Sequence, residues 1–180
     1  MSRSGYVDDD DNGDNWSMIR WRGAVASAIK GNRGQQFLRD LLSALDAMPV
    51  KELHAGKFQA DGQFCALGVA ANFRAIDLSG FEEGAADGDV AHGRLAKTLE
   101  LSEAFVREVM FENDECVSAT RTVTHELCGP VRPHYPDYGQ RVYREKVEDE
   151  TAPARRWAYM RGWVAKQIVD NAGQRAGGGE

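Results

Sequence analysis

The sequence contains no long apolar run. No stretch approaches the roughly 20 apolar residues of a membrane-spanning helix, and none follows Arg3 as a secretory signal requires. The expectation is a cytoplasmic protein with no membrane partner. Cysteine is scarce as well. Cys65, Cys116 and Cys128 are an odd count spread widely along 180 residues, which excludes a disulfide framework and points to reduced thiols. Cations are in deficit, with 22 Lys and Arg against 28 Asp and Glu. Much of that deficit sits in residues 1–15, MSRSGYVDDDDNGDN, which carry −4 of the net −6 and leave the rest of the chain near neutral. A near-neutral body offers phosphates no basic surface, so nucleic acid is not an expected partner.

What is present is enough apolar material for one core, 42% of the residues, with no shift of composition that divides the chain in two. Residues 1–15 and 171–180 are too poor in apolar side chains to order themselves, and are expected as a disordered acidic tail and a flexible tail. Between them, helical periodicity places Met18, Trp21, Val25, Ala28 and Ile29 on one stripe, with Asp14 or Asn15 as the cap. Phe37, Leu38, Leu41, Leu42 and Leu45 form a second stripe that Pro49 closes. Asp61-Gly62 between Phe58 and Phe64 predicts a small hairpin, because glycine admits the positive φ of a tight turn. CALGVAANFRAI reads as a buried helix, and a loop rich in Gly and Asp follows it. RLAKTLELSEAFVREVMFENDE reads as two short helices split near Glu100.

From Val117 to Asp149 the pattern changes to strand alternation. TRTVTHEL and QRVYREKVE flank CGPVRPHYPDYG, a loop holding three of the five prolines. A last helix begins near Pro153. The fold expected is a single, mainly α domain (α+β) over residues 16–170. It has about six helices, a small β-hairpin and a longer β-hairpin inserted at about 117–149.

Four constellations could carry function. Ala96, Leu99, Leu101, Val106 and Val109 match the anchors of a helix-turn-helix, with Ser102 as cap of its second helix. Against a DNA-binding regulator acting through residues 94–112, Glu100 replaces the usual turn glycine. Glu103, Glu108 and Glu112 would also face phosphate with only Arg107 beside them. Cys65 opens a helix, where the dipole can activate a thiol, so a Cys65-dependent enzyme is an alternative; a buried core thiol is the simpler expectation. Cys116, His125, Cys128 and His134 offer zinc-type ligands at a spacing that fits no standard knuckle, and neither metal nor cofactor is expected.

The last helix sets Trp157, Met160, Val164 and Ile168 on its core side and collects Arg155, Arg156, Tyr159, Trp163 and Lys166 on the other. Mixed aromatic and basic side chains suit protein recognition. The expected binding residues are therefore Arg155, Arg156, Tyr159 and Trp163, with Tyr135 and Tyr138 from the neighbouring hairpin loop.

The segments WRGAVASAIKGNRGQQFLRDLLSALDAMPVKEL, CALG, LAKTLEL, FENDE and RRWAYMRGWVAKQI, in that order over residues 20–170, resemble a group of small proteins from tailed phages and prophages. The resemblance carries over no catalytic residue. It implies a small protein made in an infected or lysogenic cell and accessory to particle building. The function expected is binding of a host or phage protein, or of a small ligand, without chemistry, through the surface around the last helix and the hairpin loop. Within FENDE, Asn113 and Asp114 are expected to end a helix, Asn as a left-handed cap and Asp bonding nearby backbone.

Overall fold

A computed structural model describes residues 16–60, 62–78, 81, 88–128 and 140–169. The Asp14/Asn15 cap, both tails and the proline-rich loop with His134, Tyr135 and Tyr138 lie outside the described residues, as does most of the Gly/Asp-rich loop. The fold is mainly α. Helices α1 (Trp16–Lys30), α2 (Asn32–Ala47), α3 (Ala66–Phe73), α4 (Gly88–Thr98), α5 (Glu103–Asp114) and α6 (Ala152–Gln167) are joined by two antiparallel hairpins. These are β1 (Gln59–Ala60) with β2 (Gln63–Phe64), and β3 (Thr120–Cys128) with β4 (Gln140–Glu148). The chain divides into two compact units: residues 118–152 form one and the remainder the other.

In the helical unit, α2 supplies the centre. Its stripe repeats at helical spacing, so Phe37, Leu38, Leu41 and Leu45 all point one way and are wholly buried. They meet Val69 and Ala70 of α3, and Phe105 of α5 stands edge-on to Phe37 with ring centroids 5.7 Å apart. Trp21 and Val25 are buried on α1, with Ala28 and Ile29 partly covered, while the side chain of Met18 lies outside those described. Gln35 is buried among them. Its Nε2 donates to the carbonyls of Ile29 (2.8 Å) and Gln167 (2.9 Å), and its Oε1 accepts from the Val169 N–H at 2.8 Å, tying the ends of α1 and α6 to α2.

The small hairpin turns at Gly62, whose φ of +80° is open to glycine at no steric cost. Its strands bring the chain against α3 so closely that the Phe58 carbonyl oxygen lies 2.1 Å from where a Cβ on Gly68 would stand. That position therefore has to be glycine for the hairpin to seat. Cys65 begins α3, its Sγ accepting from the Gly68 N–H at 3.4 Å.

The split near Glu100 is real, and Glu100 itself takes φ +58°, the conformation a turn glycine would adopt. Ser102 caps α5 by accepting from the Phe105 N–H at 3.3 Å. Helix α5 is not an exposed reading helix, however. It packs against α1, α3 and α4, and Glu108 and Glu112 are buried with its apolar residues. Glu103 remains at the surface, where it binds Arg107 at 2.6 Å. The exposed recognition helix that a DNA-binding regulator would need is thus not what α5 presents, because tertiary packing surrounds it on several sides.

The second unit is a nine-residue, two-stranded ladder running from Thr120↔Glu148 to Cys128↔Gln140. On one face Thr120, Thr122, Thr124, Arg144 and Lys146 are exposed. On the other, the His125 imidazole stacks on Tyr143 with centroids 4.6 Å apart and sits 3.2 Å from Glu145. Asp149 ends the ladder with a local turn, its carboxylate accepting from the N–H (3.0 Å) and hydroxyl (2.6 Å) of Thr151.

Candidate binding surface

The residues that sequence patterning assigned to a recognition patch are distributed differently by the fold. Arg155 is exposed, Tyr159 is 37% exposed and Trp163 is half-buried against the core. Arg156 is 3% exposed, which corrects its placement on the open side. Its Nε donates to the carbonyl of Asn113 at 2.8 Å, and its two terminal nitrogens to those of Leu53 (3.1 Å) and Val117 (3.2 Å). The physical reason is that the backbone carbonyls of three buried residues converge at this point. A guanidinium fork is the one side chain able to serve them together. Burial draws Arg156 down from the ordinary guanidinium value, partly opposed by the nearby Asp114 carboxylate, and the group stays charged. A sequence signal existed: Arg156, Met160 and Val164 follow one another at i, i+4 and i+8, and all are buried.

Asn113 completes this hub and is not a left-handed cap. Its Oδ1 accepts from the Ala66 N–H at 3.1 Å and its Nδ2 donates to the His54 carbonyl at 2.9 Å, while Asp114 accepts from the Gly56 N–H at 3.0 Å. FENDE therefore acts across the fold, joining α5 to the 53–56 segment and to the start of α3. Glu112 accepts from the hydroxyl of Tyr159, one turn beyond Arg156 in α6, at 2.5 Å and from the Cys116 thiol at 3.2 Å. Burial first, then the bonds to Cys116 and Glu112, hold the Tyr159 phenol above its ordinary value.

That shift has a definite sign. The phenol loses its proton less readily in the folded chain than in the unfolded one, so the stability it contributes is fully present below pH 10 and falls as pH rises beyond it. Urea unfolding followed from pH 9 to pH 11 is expected to show wild-type stability declining more steeply than that of Tyr159→Phe. Parallel slopes would refute the assignment.

Cys65 belongs to the core cluster, and Cys116 is exposed. Among the described residues no group of three or more His, Cys, Asp or Glu side chains is placed to hold a metal ion. The Cys128 side chain and His134 lie outside them. No described helix is long and apolar enough to cross a membrane.

The surface feature that sequence reading missed is a cleft of about 300 Å³ in the helical unit. The C-terminal turn of α2 (Ala44, Ala47, Met48) and the following Pro49, Val50 and Glu52 form one wall. Gly62, Gln63 and Phe64 of the small hairpin and Val69, Asn72 and Phe73 of α3 form the rest. Val50 is 59% exposed and Phe73 51%, so two large apolar side chains stand in water at its lips. No local pattern announces such a place, because its three walls are distant in sequence; CALGVAANFRAI reads as a buried helix, and Phe73 in its last turn is exposed where Ala66 to Ala71 are buried.

No protein-family model, curated protein or solved structure matches the chain.

Proposed function

We propose that this chain works by binding another protein, without chemistry, as an accessory protein of the phage or prophage type, and that the binding site is the cleft between α2, the small hairpin and α3. The observation that carries the reading is the pairing of an apolar cleft of about 300 Å³ with exposed Val50 and Phe73 at its lips. Concave apolar sites with a few polar groups are how folds hold ligands and partner side chains. A large aromatic kept in water beside one is the composition of an interface anchor. Glu52 is the one ionisable side chain among the described wall residues, which therefore hold no acid–base pair or nucleophile. The surface of α6 around Arg155 and Tyr159 is the second reading, favoured by the exposure of those residues. With Arg156 withdrawn into the hub, it presents fewer groups.

The test fills the cleft. Indole and isobutylbenzene, titrated into isotopically labelled full-length protein, are expected to move the amide signals of Val69, Asn72 and Phe73. Ala47→Trp, at an exposed position of the wall, is expected to abolish those shifts while the circular dichroism spectrum stays unchanged. Shifts confined to Tyr159 and Trp163, or undiminished in Ala47→Trp, would refute the cleft and return the site to α6.

A further inference from the structure

Resting on the reading of the cleft as a binding site, we infer that its occupant is a cationic segment of another protein: an aromatic or aliphatic anchor with Lys or Arg immediately beside it. The size sets the first half. About 300 Å³ accommodates one large apolar side chain or a pair of small ones, and the walls from Ala44, Ala47, Phe64 and Val69 are apolar.

The charge sets the second half. Glu52 is the only ionisable wall residue among those described, and it is half-buried, where its charge is less screened than on an open surface. The C-terminal turn of α2 ends in the same wall, but Lys51 bonds to its carbonyls, so the charge offered to a partner is that of Glu52. Lys51, Arg74 and Arg161 bond to groups other than the Glu52 carboxylate. Lys51 donates to the carbonyls of Leu45 (3.2 Å) and Asp46 (2.5 Å) and lies over the Trp157 ring at 5.1 Å. Arg161 is held by Asp46 and Arg74 by Asp40, each at 2.6 Å, so these pairs neutralise themselves.

A second copy of the chain is a poor occupant on the same grounds, since each copy carries −6 and would bring like charge to the encounter. An anionic lipid surface is disfavoured for the same reason. A basic segment meets opposite charge at the lip and apolar surface inside it, the arrangement that confers partner choice as well as affinity.

Two capped hexapeptides test this on full-length protein: Gly-Lys-Leu-Trp-Lys-Gly and its counterpart with Glu in place of both Lys. In two-dimensional NMR titrations the basic peptide is expected to move the amides of Val50, Val69 and Phe73 and to bind about fivefold more tightly. That ratio is the upper end of what one half-exposed ion pair supplies. Glu52→Gln should bring the ratio near unity and Glu52→Lys should invert it. Equal affinities in the wild type, or a preference that survives Glu52→Lys, would overturn the inference while leaving the cleft as a site. Failure of both peptides to move cleft signals that indole does move would also overturn it, and failure of all three probes removes the cleft itself. A concentration-dependent dimer dissolved by Phe73→Asp would instead identify a second copy as the occupant.

Discussion

Replacing Arg156 with leucine is expected to lower the stability to unfolding by about 4 kcal/mol, enough to leave a chain of this size largely unfolded at 37 °C. The substitution keeps much of the stem's apolar volume and removes only the fork, so the loss measures three carbonyls left without their donors: those of Asn113, Leu53 and Val117. Each is buried or nearly so, and an unmet buried acceptor costs more than the bond it made had contributed. Arg156→Lys is the informative companion. A single ammonium cannot reach three acceptors spread around a planar fork, so it is expected to recover less than half of the loss. Urea unfolding of the three proteins decides the matter. A leucine variant within about 0.5 kcal/mol of the wild type would mean that the guanidinium lies outside in solution, and would restore Arg156 to the exposed face of α6.

Gly68→Ala is the second large effect, expected at about 3 kcal/mol destabilising. The added methyl would stand 2.1 Å from the Phe58 carbonyl oxygen and 3.3 Å from Cδ1 of Phe64, so the small hairpin has to lift off α3 to admit it. Because Phe64 is also a wall of the cleft, the same variant should weaken indole binding beyond what its lower stability explains. Gly162→Ala provides the contrast of sign. A Cβ there meets nothing within 4 Å, and alanine in a helix interior is preferred to glycine by about 0.5–1 kcal/mol, so this variant should be more stable than the wild type. If Gly68→Ala proves neutral, the packing of the hairpin on α3 is looser than 2.1 Å implies.

Both variants bear on function through the same segment. Residues 53–64 are held from one side by Arg156 and Asn113 and from the other by the seat at Gly68, with the Leu53 N–H donating to the Pro153 carbonyl at 3.1 Å and the Cys65 N–H to that of Phe58 at 3.1 Å. The cleft is one face of this clamped segment. Its walls are consequently preorganised, which lowers the ordering cost a partner has to meet on binding.

The elements themselves were legible in the amino-acid sequence, because each rests on a local cause. The stripe of Phe37, Leu38, Leu41 and Leu45 repeats at the helical period, Pro49 stops it, Ser102 caps α5, and Gly62 allows the turn that Phe58 and Phe64 flank. Strand alternation on either side of a proline-rich loop likewise marked the long hairpin, with β3 and β4 in register over nine pairs. Local causes also fixed α5 as a helix but could not say what surrounds it. Glu108 and Glu112 are charged residues that nothing local marks for burial, yet they are buried, since only the packing of α1, α3 and α4 determines which sides of that helix meet water.

Arg156 was misplaced for a related reason. Charge alone argues for solvent, whereas the backbone carbonyls that justify burying a guanidinium come from residues 53, 113 and 117, far from it along the chain. The cleft was invisible on the same principle: an element's own periodicity encodes which of its faces is apolar, but a concave surface exists only where the end of α2, the turn at Gly62 and the exposed Phe73 are brought together, and that convergence is decided by tertiary packing.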